Sequence, residues 1–145
     1  MLSPYSLSLV SPGNIAIGAA IWGVAAGSQT ARVKGLRILA NSLTQSQVGL
    51  TLVTPAVLTG AVVPNKRDPR SLAATAQVSL TFNGSPTTPT SYDFNEVVAG
   101  VVGNGLAWSF ADAPYVLTVG GPALVLFNAG AAVSGALCIH VDLDE

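Results

Sequence analysis

The sequence predicts an all-β fold, an antiparallel two-sheet sandwich for which jelly-roll connectivity is one arrangement, preceded by an extended N-terminal arm. Three observations predict it. No window carries a sustained i, i+3, i+4, i+7 apolar pattern bounded by caps, so helices have no support. Short alternating runs rich in Val, Leu, Ile and Thr recur instead, with Gly, Pro and Asn between them. Finally, 145 residues with 50% hydrophobic content fit one domain around one core and exclude a disordered chain.

The elements follow in order. Residues 1–31 form an apolar arm with no Asp, Glu, Lys, Arg or His, although they hold Tyr5, Trp22 and the cluster Ile15, Ile17, Ile21 and Val24. A neutral apolar segment needs something to lie on. The part after Asn14 either joins the sandwich of its own chain or lies on a neighbour, whereas the Ser-rich, proline-broken stretch from Met1 to Pro12 suits a tail that orders against another subunit. Residues 32–145 form the sandwich, with strands expected over Val33 to Ala40, Val48 to Thr54, Gln77 to Phe82, Tyr92 to Val98, Leu106 to Phe110, Tyr115 to Val119, Ala123 to Phe127 and Ala136 to Asp142. Asn83-Gly84, Asn104-Gly105 and Gly120-Gly121-Pro122 punctuate them. The Gly84 to Ser91 segment, with Pro86 and Pro89, lacks ladder donors and reads as an exposed loop.

Membrane and export readings fail on local detail. Pro122 to Val141 has no Asp, Glu, Lys or Arg, and mean hydropathy is +0.55. Yet the end of that stretch alternates, with Leu137, Ile139, Val141 and Leu143 on one face and Cys138, His140, Asp142 and Asp144 on the other, as in a half-buried strand. The apolar run from Ile15 to Ala26 has no Lys or Arg before it, since the first is Arg32, so a signal peptide is not expected.

Charge is sparse and segregated. Charged residues make up 9% of the chain, the net charge is -1 and the pI is about 5.6, so nothing neutralises a phosphate backbone and no nucleic-acid partner is expected. All cations lie in two groups, Arg32, Lys34 and Arg37, then Lys66, Arg67 and Arg70, while every acid except Asp68 lies from Asp93 onward. Two readings stand beside each other. Either the fold sets the two halves side by side and cross-strand pairs cancel the segregation, or cations of one copy meet acids of another subunit.

A search for chemistry returns little. One histidine (His140) and one cysteine (Cys138) exclude the usual zinc sets and a disulfide framework. No Gly-x-Ser-x-Gly elbow accompanies His140, which reads as structural. Asp142, Asp144 and Glu145 lack the loop and glycine of a calcium motif, and Gly103-Asn104-Gly105 lacks the third glycine of a dinucleotide fingerprint. Trp22, Trp108, Tyr92 and Tyr115 could stack on a sugar, but core packing of Trp108 and Phe110 is the favoured reading. No catalytic residue, cofactor or metal is expected.

The neutral Ser/Ala/Gly-rich segment of Met1 to Ala31, the nearly charge-free strands and the ending from Ala131 to Glu145, a Gly/Ala loop feeding an acid-tipped strand, resemble virion proteins of tailed bacteriophages, in particular small head decoration or cement proteins. The resemblance implies a sandwich on the capsid surface that clusters as a homo-oligomer, a trimer by preference, and bridges subunits of the major capsid protein. The interface residues expected from the sequence are Tyr5, Trp22, Arg32, Lys34, Arg37, Lys66, Arg67, Arg70, Asp142 and Asp144. The competing class is a tail or fibre module that binds a host glycan through exposed aromatics and the Gly84 to Ser91 loop.

Overall fold

A computed structural model describes residues 2–54, 58–84 and 86–145; Met1 of the expected tail and Ser85 within the expected proline-rich loop lie outside them. The described strands are β1 (Pro4–Val10), β2 (Ala20–Ala25), β3 (Ala31–Ala40), β4 (Ser46–Val53), β5 (Leu58–Thr59), β6 (Asn65–Lys66), β7 (Gln77–Ser79), β8 (Thr81–Phe82), β9 (Phe94–Val98), β10 (Gly105–Ser109), β11 (Tyr115–Leu117), β12 (Ala123–Asn128) and β13 (Leu137–Asp144). The first sheet runs β10-β3-β13-β1-β6 with β11 also beside β3, the second runs β7-β2-β12-β4-β9, and β5 pairs β8 as a separate hairpin. Every pairing is antiparallel.

Among the long strands, with β10 and β11 taken as one, the first, eighth, third and sixth build one sheet and the second, seventh, fourth and fifth build the other. That order matches jelly-roll connectivity. Alternation explains the first sheet: Leu137, Ile139, Val141 and Leu143 of β13 are buried, as are Leu36 and Ile38 of β3, while polar residues between them face outward. β12 obeys a different rule, with all its residues buried. Leu124 and Leu126 enter the main core, whereas Ala123, Val125 and Phe127 form a second cluster with Val53 that Phe82 and Tyr92 cover. Glycine makes that cover possible, because a Cβ on Gly49 would stand 2.5 Å from the Tyr92 ring.

The structure corrects the tail reading of residues 2–12, and for the part after Asn14 it bears out the first alternative, a strand in the sandwich of its own chain. β1 pairs with β13 from Pro4↔Asp144 to Val10↔Cys138, and β2 lies between β7 and β12. Ser6 and Ser8 are simply the outward positions of an edge-side strand whose Tyr5, Leu7 and Leu9 pack on the core. Residues 2–31 therefore belong to the sandwich, and no boundary separates them from 32–145. A smaller correction concerns Gln77 to Phe82, which is two strands: the chain leaves the second sheet after Ser79, whose hydroxyl accepts from the Thr81 N–H at 3.1 Å, so Val78 enters the core while Phe82 covers the sheet from outside.

Candidate functional site

The outward face of the first sheet gathers half of the expected interface residues. β3 and β13 run in register, His140 opposite Arg37 and Asp142 opposite Gly35, until a bulge shifts the pairing so that Leu143 meets Val33. Lys34 and Gly35 thus both stand between the buried Val33 and Leu36. Gly35 has no side chain to fill the space above it, and a hollow of about 450 Å³ results, walled by Lys34, Arg37, Arg67, His140, Asp142 and Asp144.

Two ion pairs cross the hollow, Lys34 Nζ to Asp144 Oδ2 at 3.3 Å and Arg67 Nη1 to Asp142 Oδ1 at 3.6 Å. They are the cross-strand cancellation weighed above, and at this exposure each contributes about 0–1 kcal/mol. Arg37 is exposed and, among the described residues, has no carboxylate at ion-pair distance; the half-buried Arg32 has none either, and Lys66 donates only to the Ser71 carbonyl. The face is therefore a cation surplus around two local pairs.

A second set of contacts has a familiar order. Ser8 Oγ lies 2.8 Å from His140 Nδ1, and His140 Nε2 lies 3.2 Å from Asp142 Oδ1. A hydrolase would also need donors free to receive an oxyanion, yet these residues sit on strands whose neighbouring backbone is engaged in the β1-β13 and β3-β13 ladders. What the chain of contacts does is hold the imidazole in one orientation beside Arg37.

The other expected residues lie elsewhere. Tyr5 is 4% exposed with its hydroxyl donating to the Leu72 carbonyl at 2.9 Å, and Trp22 is 0% exposed, so neither side chain is available to a partner; both were placed at an interface because their segment looked like an arm. Arg70 folds back on Asp68 through three hydrogen bonds of 3.0–3.1 Å, which hold the Asp68 carboxyl below its usual range. Asp142 and Asp144 are half-buried in the hollow. Sequence reading missed Ser8 and Gly35. A glycine inside the run Val33 to Ala40 was the available signal, since glycine within a strand marks a bulge or an open approach.

Two further acids, Asp93 and Glu96, lie at a different edge, where β9 faces β10 and β11. Trp108 Nε1 donates to Glu96 at 2.9 Å and the Tyr115 hydroxyl donates to Asp93 at 2.7 Å, over an aromatic cluster of Phe94, Trp108, Phe110 and Tyr115. Burial, then the Asp93 hydrogen bond and charge, push the Tyr115 phenol far above its ordinary range. Because the folded state holds this proton more tightly than the unfolded state, its contribution is complete below about pH 10 and is lost as pH rises beyond it. Tyr115→Phe is expected to cost about 1 kcal/mol at neutral pH and to flatten part of the alkaline fall in melting temperature. An alkaline fall identical to that of the parent would refute the assignment.

No family model matches the chain, and no curated protein matches its sequence.

Proposed function

We propose that this protein is a structural subunit of a virion, a decoration or cement protein whose sandwich adds to a pre-formed shell and bridges its subunits. The observation that carries this is the cation surplus around the hollow of the first sheet. Arg37, with no carboxylate at ion-pair distance among the described residues, stands beside a cavity large enough for a carboxylate side chain and its neighbours. An acidic loop of a shell protein is the partner such a surface fits, with charge setting register and rate of encounter. The jelly-roll order and the low charge content support the same reading, since a rigid body with little charge suits repeated contacts on a lattice. A glycan-binding role has lost two of the aromatic faces it called for, because Trp22 and Trp108 are 0% and 7% exposed.

The test is co-sedimentation with the particles of the source. Arg37→Glu is expected to weaken binding by about 10–100-fold at low salt, and binding by the parent should itself fall as salt rises. Equal binding by parent and variant would remove the hollow from the contact. Failure of the parent to sediment with particles would end the virion reading.

A further inference from the structure

The end of the sandwich away from residues 65–70 is built unlike the rest of the surface. Four loops cross it from one sheet to the other: 11–19 joins β1 to β2, 41–45 joins β3 to β4, 99–104 joins β9 to β10, and 129–136 joins β12 to β13. The strand orders set them side by side as 99–104, 41–45, 129–136 and 11–19. None contains Asp, Glu, Lys, Arg or His. Each carries an exposed apolar side chain instead: Val101 and Val102 at 58% and 61%, Leu43 at 82%, Val133 at 41% and Ile17 at 60%, with Val10 at 53% beside the last.

These loops are fixed to one another. Gly103 N–H donates to the Ala40 carbonyl at 2.9 Å, Asn41 N–H to the Ala136 carbonyl at 2.9 Å, and two bonds cross the next gap, Asn14 N–H to Ser134 O at 2.8 Å and Ser134 N–H to Ile15 O at 2.9 Å. Four of the buried polar side chains, Ser11, Ser46, Asn128 and Ser134, serve this end. Ser46 Oγ accepts from Gly135 N–H at 2.8 Å, and Asn128 Nδ2 donates to both Ile15 O and Ala131 O at 2.9 Å. The backbones approach so closely that a Cβ on Gly100 would stand 2.4 Å from the Leu43 carbonyl oxygen. An apolar surface held this rigidly loses little further entropy when it is covered.

We infer that this four-loop end is a docking surface for a second copy of the chain, joined end to end about a two-fold axis. A partner must bring no charge to it, because an ion buried there would find no counter-ion. The same end of another copy meets that condition, whereas the first-sheet face, residues 65–70 and the Asp93–Glu96 edge do not. Of the 28 loop residues, Ser11, Ser134 and Gly135 are buried, and the other 25 fall within the roughly 20–30 a side of a standard interface. A two-fold contact also sets like surface on like surface without needing complementary charges. The inference does not rest on the virion reading, since it concerns the protein alone in solution.

Sedimentation equilibrium of the full chain tests it, alongside Leu43→Asp, Val101→Asp and, as a control on another surface, Leu72→Asp. The parent is expected to behave as a pair or a multiple of pairs. The two loop variants should weaken association by at least about 100-fold with circular dichroism unchanged, while the control associates like the parent. In a Cys138→Ser background, Leu43→Cys should form an intermolecular disulfide on mild oxidation. A parent that stays monomeric, or that associates equally well with Leu43→Asp, overturns the inference. So does a monomer that binds phosphatidylcholine vesicles through Leu43, which would make lipid the occupant. Particle binding by such a monomer would leave the shell reading standing alone.

Discussion

Deleting residues 2–12 is expected to abolish cooperative folding, with loss of the β-sheet circular dichroism signal and of any sharp thermal transition. The deletion removes all of β1, so β13 loses one ladder neighbour over seven residue pairs and β6 loses the strand it pairs with. It also takes Tyr5, Leu7 and Leu9 from the core. Burying each such side chain is worth about 1.5–3 kcal/mol when complete, so the loss is on the order of 5 kcal/mol before any hydrogen bond is counted. That is comparable with the about 5–15 kcal/mol by which a domain of this size is stable. Ser11 adds to it, since its hydroxyl accepts from the buried Leu137 N–H at 3.0 Å. A truncated chain that melts cooperatively within a few degrees of the parent would return residues 2–12 to the status of a detachable tail.

Trp22→Ala is expected to cost about 3–5 kcal/mol, the range for emptying a large aromatic site. The melting temperature should fall by roughly 10–15 °C. Trp22 is 0% exposed in the middle of β2, and Ile21 and Val24 beside it are also fully buried. Its indole N–H has no hydrogen-bond partner among the described residues. Trp22→Phe should therefore cost much less than the alanine change, because it keeps most of the apolar bulk and removes an unpaired buried donor. The pair of variants separates packing from polarity. A melting temperature unchanged in Trp22→Ala would mean that Trp22 lies on a surface.

Local pattern carried the strands whose two faces differ. β13 alternates because one face meets the core and the other carries charge, and β3 and β4 lie within two residues of their expected limits. β1 and β2 were illegible for opposite reasons. The outward positions of β1 are serines rather than charges, so its alternation resembled a tail, while Ile21 to Val24 of β2 are buried without a break, so they show no period of two. The small strands β5 and β6 have two residues each and leave no pattern to read. Lys34, Arg37, Arg67, Asp142 and Asp144 were each visible as charges. Their meeting in one hollow depends on the β3-β13 register and on the bulge at Lys34–Gly35, and neither is encoded in spacing along the chain. Arg70 shows the converse, for its neighbour Asp68 two residues away occupies it locally.

The pairing of β1 with β13 also sets a timetable. Ser8 and His140, which touch in the finished sheet, are separated by 132 positions in the chain. The ribosome must have released residues 138–144 before Tyr5, Leu7 and Leu9 can reach the strand that shelters them. Until then β1 has no β13 to pair with, and loops of such length close slowly, so maturation belongs to the millisecond-to-second regime of all-β chains. Crowded synthesis sites should therefore favour mispaired or aggregated newborn chains over folded ones, and refolding yield should fall with protein concentration.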